Sequence, residues 1–280
     1  MVRYNHHVLE KKWLAPWSAP FPSLEGFPSM DGATSACTIF ISTGSTQIDL
    51  ENFRLLILTD FLGYCKTGSP PLVSWLGAGE EQLSQAQHYG VRLVSSCSKG
   101  NNWDLAVLPR DYSFLVPNIV CTERFLCGRF LDQIPVAEFL PDFGLDALRV
   151  FSLYLGPPTR DYRLNWSSLA AAYHFLQKIW QLGQTPREDQ EVGEKEALQI
   201  LQLRVTKRLQ QKKPHTALAA MMEFLRDKTA LSPRELVTIA VLLRPYAPFL
   251  ATELLSLMTP IQNYNGGKGN QTNTQGYDLG

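Results

Sequence analysis

The chain has 280 residues, of which 45% are hydrophobic and 19% charged, an ordinary composition for a protein with one large core or two modest ones. Its 26 basic residues equal its 26 acidic residues, so binding to nucleic acid would need a local basic patch rather than an overall positive field. No run of about 18 apolar residues is present, so the sequence predicts no membrane span.

Residues 1–30 begin with a short helical pattern, which a proline-rich linker over residues 15–28 follows. The first residues lack the apolar segment that is typical of a signal peptide. The five cysteines have no paired Cys-x-x-Cys spacing, which favours free thiols in a reducing compartment and argues against a zinc site. A cytoplasmic protein is therefore expected.

Residues 31–150 have the pattern of an α/β domain. Short apolar and β-branched segments indicate buried strands at residues 37–42, 71–75, 91–95 and 104–108. Apolar residues at helical spacing over residues 49–64 indicate a helix after the first strand. Strands that alternate with helices favour a parallel sheet.

Residues 151–260 have the pattern of a helical domain. Ser167 is predicted to cap a helix that reaches about residue 182, and further helices are predicted at residues 194–212, 216–228 and 249–258. Another helix is expected to begin with Ser232 as N-cap and Pro233 in its first turn, and to run toward Arg244. Residues 261–280 are rich in Gly, Asn and Gln, which predicts a disordered tail.

Residues 143–180 carry a resemblance to a known family. The matching positions are Gly144, Asp146, Ala147, Arg149, Gly156-Pro157-Pro158, Trp166-Ser167, Ala172-Tyr173, Phe175-Leu176 and Trp180. This run resembles the junction between the catalytic domain and the helical tRNA-binding domain of class I aminoacyl-tRNA synthetases. Leucyl-tRNA synthetases come first, with the valyl, isoleucyl and methionyl enzymes behind.

Two later segments, residues 214–225 and 242–255, resemble helices of the same tRNA-binding domain, and their order and spacing agree with the family. Residues 4–17 resemble the opening of leucyl-type enzymes. The resemblance implies a reduced Rossmann-like parallel sheet, followed by a helical bundle of the class I anticodon-binding type.

The resemblance also implies an ATP motif of H-x-G-H type after the first strand. Arg54 and Asp60 stand at offsets that match the family, and the motif positions between the strand and Arg54 are Asp49, Leu50, Glu51 and Asn52. Both imidazoles and the glycine are therefore missing. Asp49 and Glu51 place carboxylates where the phosphates of ATP would lie, which opposes nucleotide binding.

A second ATP motif of K-M-S-K-S type is implied on a mobile loop before Gly144. Counting back from Gly144 places it on residues 125–129, where Phe125 and Gly128 replace the two lysines and Arg129 alone is basic. Residues 96–101 (Ser-Cys-Ser-Lys-Gly-Asn) are either a displaced ATP loop or a polar loop between strands. Only about 60 residues (66–125) separate the two motif positions, so no editing domain and no zinc element are expected.

Basic residues recur along the predicted helix at residues 194–212 and just beyond it: Arg204, Lys207, Arg208, Lys212 and Lys213. They form either a surface that binds RNA phosphates or a solvated helix face. Trp166, Tyr173, Phe175 and Trp180 have helical spacing, which favours core packing over base stacking.

The sequence therefore predicts a catalytically inactive protein of the leucyl-tRNA synthetase type, without catalytic residues, cofactor or metal. It is expected to act as a scaffold that binds tRNA, another RNA or a protein partner, but not DNA. The alternative is an active ligase that forms or transfers an aminoacyl adenylate in a remodelled ATP site. The sequence leaves open which partner binds, the oligomeric state, and whether the former amino-acid pocket holds a small molecule.

Overall fold

A five-stranded parallel sheet forms the first half of the protein. The computed structural model describes residues 4–17, 36–41, 47–94, 102–111, 119–185 and 191–258. The strands are β1 (Cys37–Ile41), β2 (Leu72–Leu76), β3 (Arg92–Leu93), β4 (Leu105–Pro109) and β5 (Arg124–Cys127). Their spatial order is β3-β2-β1-β4-β5. Strand β1 aligns Cys37 with Leu72 of β2 on one side and Thr38 with Leu105 of β4 on the other. This is the strand order of the doubly wound Rossmann fold, so the predicted sheet is confirmed.

Helices make up the rest of the described structure. They are α1 (His6–Trp17), α2 (Leu50–Thr67), α3 (Glu80–Ala86), α4 (Leu140–Tyr154), α5 (Trp166–Gly183), α6 (Glu191–Gln210), α7 (Pro214–Leu225), α8 (Pro233–Leu243) and α9 (Pro248–Met258). Short 3₁₀ turns lie at Gln87–Tyr89 and Val136–Glu138. The α/β half is therefore followed by a helical half, as predicted.

Helix α2 fills the space between the sheet and the helical half. Every residue from Leu50 to Cys65 is buried, which suits an apolar helix enclosed on all sides. Asp49 caps its start by accepting a hydrogen bond from the Asn52 amide at 2.8 Å. Gly68 ends it in the left-handed conformation, with φ of 72°, that favours glycine.

Helix α4 connects the two halves of the molecule. Asp146, buried on α4, accepts hydrogen bonds from the amides of Phe249 (3.3 Å) and Leu250 (2.7 Å) in the first turn of α9. A single hydrophobic cluster includes α2, α4 and α9 side chains. Residue 150, the predicted boundary between the two domains, lies inside α4.

Three local predictions are wrong. Residues 124–127, expected in a mobile loop, form the edge strand β5, because Ala106 to Pro109 of β4 pair with them. The N-cap of α5 is Asn165, which accepts from the Ser168 amide, whereas the Ser167 hydroxyl only donates to the Asn165 side chain at 2.6 Å. Helix α7 begins at Pro214 instead of residue 216, since proline suits a first helical turn. Helix α3 was not anticipated at all.

The prediction that all cysteines are free is also wrong. Cys37 is disulfide-bonded, whereas Cys65, Cys121 and Cys127 are free thiols. Cys37 is the first residue of β1, and the spacing of the cysteines in the sequence did not reveal this bond. The predicted tail (261–280), residues 96–101 and most of the proline-rich linker lie outside the described residues. Within the described part of the chain, no helix is long and apolar enough to cross a membrane.

Candidate functional site

The site lies beyond the carboxyl ends of β1, β4 and β5. The strand order reverses between β1 and β4, and open α/β sheets bind their ligands at such a switch point. Helix α2 begins at this edge, and its first turn contains Asp49, Glu51 and Asn52, all buried. The segment that follows β5 approaches the same turn. The structure therefore brings the two predicted motif positions together.

Glu51 and Arg129 form an ion pair across this edge. The guanidinium of Arg129 donates through Nε to one carboxylate oxygen of Glu51 and through Nη2 to the other, the latter at 2.9 Å. Glu51 is almost fully buried, while Arg129 keeps some exposure and also lies 3.7 Å from Asp111. A bidentate ion pair of this kind is strong. The positive N-terminal end of the α2 dipole further stabilises the Glu51 carboxylate. The pair therefore joins the two predicted motifs directly.

Gly128, where the family's second motif has a lysine, is packed against backbone. A Cβ atom added there would lie 2.2 Å from the carbonyl carbon and oxygen of Arg160. The Gly128 amide also donates to the Pro158 carbonyl at 2.9 Å. No lysine can occupy this position unless the segment around Arg160 moves.

Arg54 holds the same backbone from the other side. Its guanidinium donates to the carbonyl oxygens of Gly128 (3.0 Å) and Pro158 (3.1 Å) and lies 5.0 Å from the ring centre of Tyr162. Burial lowers the pKa of Arg54, and the neighbouring Cys127, Tyr162 and Glu51 oppose that shift. Arg54 therefore stabilises the backbone at Gly128 and Pro158 through hydrogen bonds.

Asp161 and Arg110 complete this network, and sequence reasoning missed both. Arg110 donates to both carboxylate oxygens of Asp161 at 2.6 Å, and Asp161 accepts from the Arg129 amide at 2.8 Å. The only sequence signal was that Asp161 shortly follows Gly156-Pro157-Pro158. Burial raises the pKa of nearby Cys127 to about 11, so this cysteine stays a thiol and is no nucleophile at neutral pH.

Phe125 lies away from the ion pair, at the second position of β5. The ammonium of Lys212 lies 5.7 Å from the Phe125 ring centre and forms an ion pair with Glu123. Lys212, just beyond the end of α6, therefore contacts the edge strand β5 and the residue before it.

The remaining basic candidates lie on the outside of α6 and at its end. Arg204 forms an exposed ion pair with Glu223 of α7 at 2.6 Å. Lys207, Arg208 and Lys213 are exposed, and none has an acidic partner among the residues whose positions are described. The basic face therefore consists of these three residues, with Arg204 beside them.

The aromatic residues of α5 divide into two groups. Phe175 and Trp180 are buried and Tyr173 is half-buried, as predicted for core packing. Trp166 is 60% exposed and rests on Phe139 with ring centres 5.3 Å apart, so the core prediction is wrong for this residue. Trp166 opens the first turn of α5, where only one side of the helix meets the core. Across the described ranges, no cluster of three or more His, Cys, Asp or Glu side chains could hold a metal ion.

The known proteins that this chain is similar to are aminoacyl-tRNA synthetases. No family model matches the chain. It is 29% identical over 123 residues to the leucine–tRNA ligase of Protochlamydia amoebophila, a match that covers 42% of this chain and 14% of the ligase. It is 30% identical over 133 residues to the leucine–tRNA ligase of Pelodictyon phaeoclathratiforme, which covers 43% of this chain and 16% of that ligase.

Solved structures of two synthetases are also similar. A ternary complex of leucyl-tRNA synthetase with tRNA and LeuAMS from Agrobacterium radiobacter has 17% identity and a TM-score of 0.44, and the match covers 57% of this chain and 28% of that one. Apo methionyl-tRNA synthetase from Mycobacterium tuberculosis has 16% identity and a TM-score of 0.42, over 55% of this chain and 43% of that one.

The chain is therefore a class I aminoacyl-tRNA synthetase-like protein. The curated relatives it matches are leucine–tRNA ligases, of whose length the matches span only 14% and 16%.

Proposed function

We propose that this protein is a leucyl-type synthetase-like protein that does not activate an amino acid with ATP. The observation that carries the proposal is the ion pair between Glu51 and Arg129, because each residue stands at a predicted ATP-motif position. A phosphate entering this edge would meet the Glu51 carboxylate, and two like charges 4 Å apart repel by about 4 kcal/mol at an effective dielectric constant of 20. Arg129 is already engaged and cannot serve the phosphate unless it leaves Glu51 unpaired.

Gly128 supports the same proposal independently. Activation of an amino acid with ATP depends on cations at fixed positions around the phosphates. The packing of Gly128 against the Arg160 backbone excludes a lysine at that position. Replacing Glu51 alone would therefore still leave the second predicted motif without a lysine at position 128.

Leucine-dependent ATP–pyrophosphate exchange tests this proposal. We expect no exchange above a no-enzyme blank, with a full-length leucine–tRNA ligase as the positive control in the same buffer. Measurable exchange that requires leucine would refute the inactive protein and favour the alternative of a remodelled active site.

Titration with ATP tests the cause. The unaltered protein should not bind ATP at millimolar concentration, and Glu51→Gln, which removes the negative charge but keeps an acceptor for Arg129, should bind it weakly. The variant E51Q/R129M should lose that binding again. Glu80→Gln, an exposed carboxylate on α3, is the matched control and should behave like the unaltered protein.

We further propose that the partner is tRNA and that Lys207, Arg208 and Lys213 contact its phosphates. These three cations are exposed and lack acidic partners in the described structure, so no ion pair must break when a phosphate binds. Arg204 adds to them at little cost, because an exposed ion pair such as that with Glu223 contributes at most about 1 kcal/mol.

The salt dependence of tRNA binding tests this second part. Replacing Lys207, Arg208 and Lys213 with alanine should weaken binding at least tenfold and reduce the slope of log affinity against log salt by about 2 to 3. The variant K11A/R160A/K195A removes three other exposed charges and should bind as the unaltered protein does. Equal losses in both variants, or capture of a polypeptide instead of tRNA when the protein is purified from cells, would contradict an RNA-binding role.

A cytoplasmic location is part of this proposal, since tRNA is abundant there. The disulfide at Cys37 is unusual for that compartment. Fractionation of cells, with alkylation of free thiols at lysis, would test both the location and the state of Cys37.

A further inference from the structure

A cavity of about 420 Å³ lies between α1, the 3₁₀ turn Gln87–Tyr89 and the start of α4. It is lined by residues none of which belongs to the site around Glu51 and Arg129. Its volume is within the range that holds a small organic molecule. The cavity therefore is a second place in the fold where a ligand fits.

Glu10 is the acidic group of this cavity, and the backbone of α4 holds it in place. Gly144, with φ of 74° and ψ of 170°, interrupts α4, so the Leu145 amide begins a new helical segment without a partner from the preceding turn. One oxygen of Glu10, Oε1, accepts a hydrogen bond from that amide at 2.6 Å. The side chain is thus fixed in one position before any ligand arrives.

The second oxygen of Glu10 has no hydrogen bond or ion pair with any residue in the described ranges. Lys12, two positions along the same helix, pairs with Glu253 instead, at 2.6 Å. The pKa of Glu10 is raised to about 7, mainly by burial and in smaller part by the nearby Asp146 carboxyl. Both effects reflect a carboxyl group that has lost water without gaining a cation.

The other walls of the cavity are mainly apolar. Leu14, Leu140, Pro141 and Leu145 supply aliphatic surface, and Tyr89 supplies an aromatic ring. His7, Lys11 and His88 also line it, and they disfavour a ligand with more than one positive charge. The cavity thus combines one half-buried carboxyl group with a surface that suits a compact hydrocarbon body.

We propose that this cavity binds a small primary ammonium compound with an apolar body, whose ammonium group pairs with the free oxygen of Glu10. The ammonium supplies the hydrogen-bond donors and the positive charge that the half-buried Glu10 carboxylate lacks. The apolar body covers the leucine and tyrosine side chains. This binding is independent of ATP and of the basic face on α6.

Titration of the unaltered protein with three molecules of one shape tests the proposal without any mutation. Cyclohexylamine, cyclohexanol and cyclohexanecarboxylate share a ring and differ in the charge of the head group. We expect the amine to bind at least tenfold more tightly than the alcohol, and the carboxylate not to bind. Equal affinity for amine and alcohol, or no binding of the amine at millimolar concentration, would overturn the proposal.

A variant then assigns the charge to Glu10. Glu10→Gln keeps an oxygen for the Leu145 amide and removes the negative charge, so it should reduce amine affinity at least tenfold while thermal unfolding stays within a few degrees. Glu196→Gln, an exposed carboxylate on α6, is the matched control and should change nothing.

The site is located by nuclear magnetic resonance. Cyclohexylamine should shift the Leu145 amide signal of the unaltered protein, which gives the position of binding even if Glu10→Gln fails to fold. Amine binding that leaves the Leu145 signal unmoved, or that persists at full strength in a folded Glu10→Gln variant, would show that the ligand lies elsewhere.

Discussion

The carboxylate of Asp60 and the guanidinium of Arg149 lie 2.6 Å apart in the interior, with both side chains at least 96% shielded from solvent. Asp60 belongs to α2 and Arg149 to α4, and Arg149 also donates to the Pro245 carbonyl at 3.0 Å, just before α9. One arginine thereby connects the helix behind the sheet with the helical half. Its Nε and Nη1 atoms are buried without a hydrogen-bond partner.

Removing one partner of this pair should destabilise the protein strongly. Asp60→Ala leaves the Arg149 charge buried and unpaired, so we expect the free energy of unfolding to fall by about 3–5 kcal/mol. The double variant D60L/R149M replaces both charges with apolar groups of similar size, and since two arginine nitrogens are already unsatisfied it should lose far less. Urea denaturation measures both. A loss below 1 kcal/mol in Asp60→Ala would show that the interior accommodates a lone guanidinium.

Gly128→Ala should destabilise the fold because its methyl group has no space. The added carbon would lie 2.2 Å from the Arg160 backbone, and overpacking of this kind costs about 1–3 kcal/mol. Gly79→Ala is the matched control, since the nearest atom to its added carbon is a Gln82 oxygen at 4.0 Å, and it should cost less than about 1 kcal/mol. The midpoints of urea unfolding of the two variants measure this difference. Equal midpoints would mean that the backbone of residues 157–162 shifts to accommodate the added methyl group.

Stability should fall as the pH rises from about 4 toward 7, because two carboxyl groups with raised pKa values, Glu10 and Asp146, hold protons in the folded state. Burial raises the pKa of Glu10 from 4.5 to about 7 and that of Asp146 from 3.8 to about 7. In the unfolded chain both pKa values return to normal, so the folded state binds more protons across this range. The two groups contribute their full stabilisation at a pH below their pKa values in the unfolded chain. That stabilisation is lost as the pH rises through their folded-state pKa of about 7.

Unfolding by urea at several pH values measures this slope. The double variant E10Q/D146N has no protons to lose there and should show a flatter dependence than the unaltered protein. An identical slope in the two proteins would mean that other groups set the pH dependence.

Asn165→Ala should weaken the start of α5 more than Ser167→Ala does. The Asn165 side chain accepts from the Ser168 amide, and loss of such a cap costs about 1 kcal/mol. Ser167 donates only to Asn165, so its replacement should cost about a few tenths of a kcal/mol. The temperatures of thermal unfolding rank the two variants, and the reverse order would restore Ser167 as the effective cap.

The sequence predicted those parts of the fold that local patterns determine. The strands at the sheet centre are continuous apolar segments, and Ser232 does cap α8 with its hydroxyl accepting from the Glu235 amide. Asp146 and Arg149 stood out through the family resemblance, and both turn out to be buried residues that fasten α4 to its neighbours. Both positions therefore have a structural role.

Contacts between distant residues could not be predicted in the same way. Glu51 and Arg129 are 78 residues apart, and only the parallel alignment of β1, β4 and β5 brings them together. Strand β5 escaped notice because it is an edge strand in which Arg124 and Leu126 face solvent, so it lacks a continuous apolar pattern. The bond at Cys37 depends likewise on chain folding that spacing does not record.

The pairing of Glu51 with Arg129 also restricts how such a protein could change in descent. A single substitution to glycine at position 51 would leave a partly buried arginine without its counter-charge, and one that removed Arg129 would leave a buried carboxylate without its partner. Either intermediate is less stable than the present protein. The two charges are therefore coupled, and variants that keep or lose both together should be more stable than variants that lose only one.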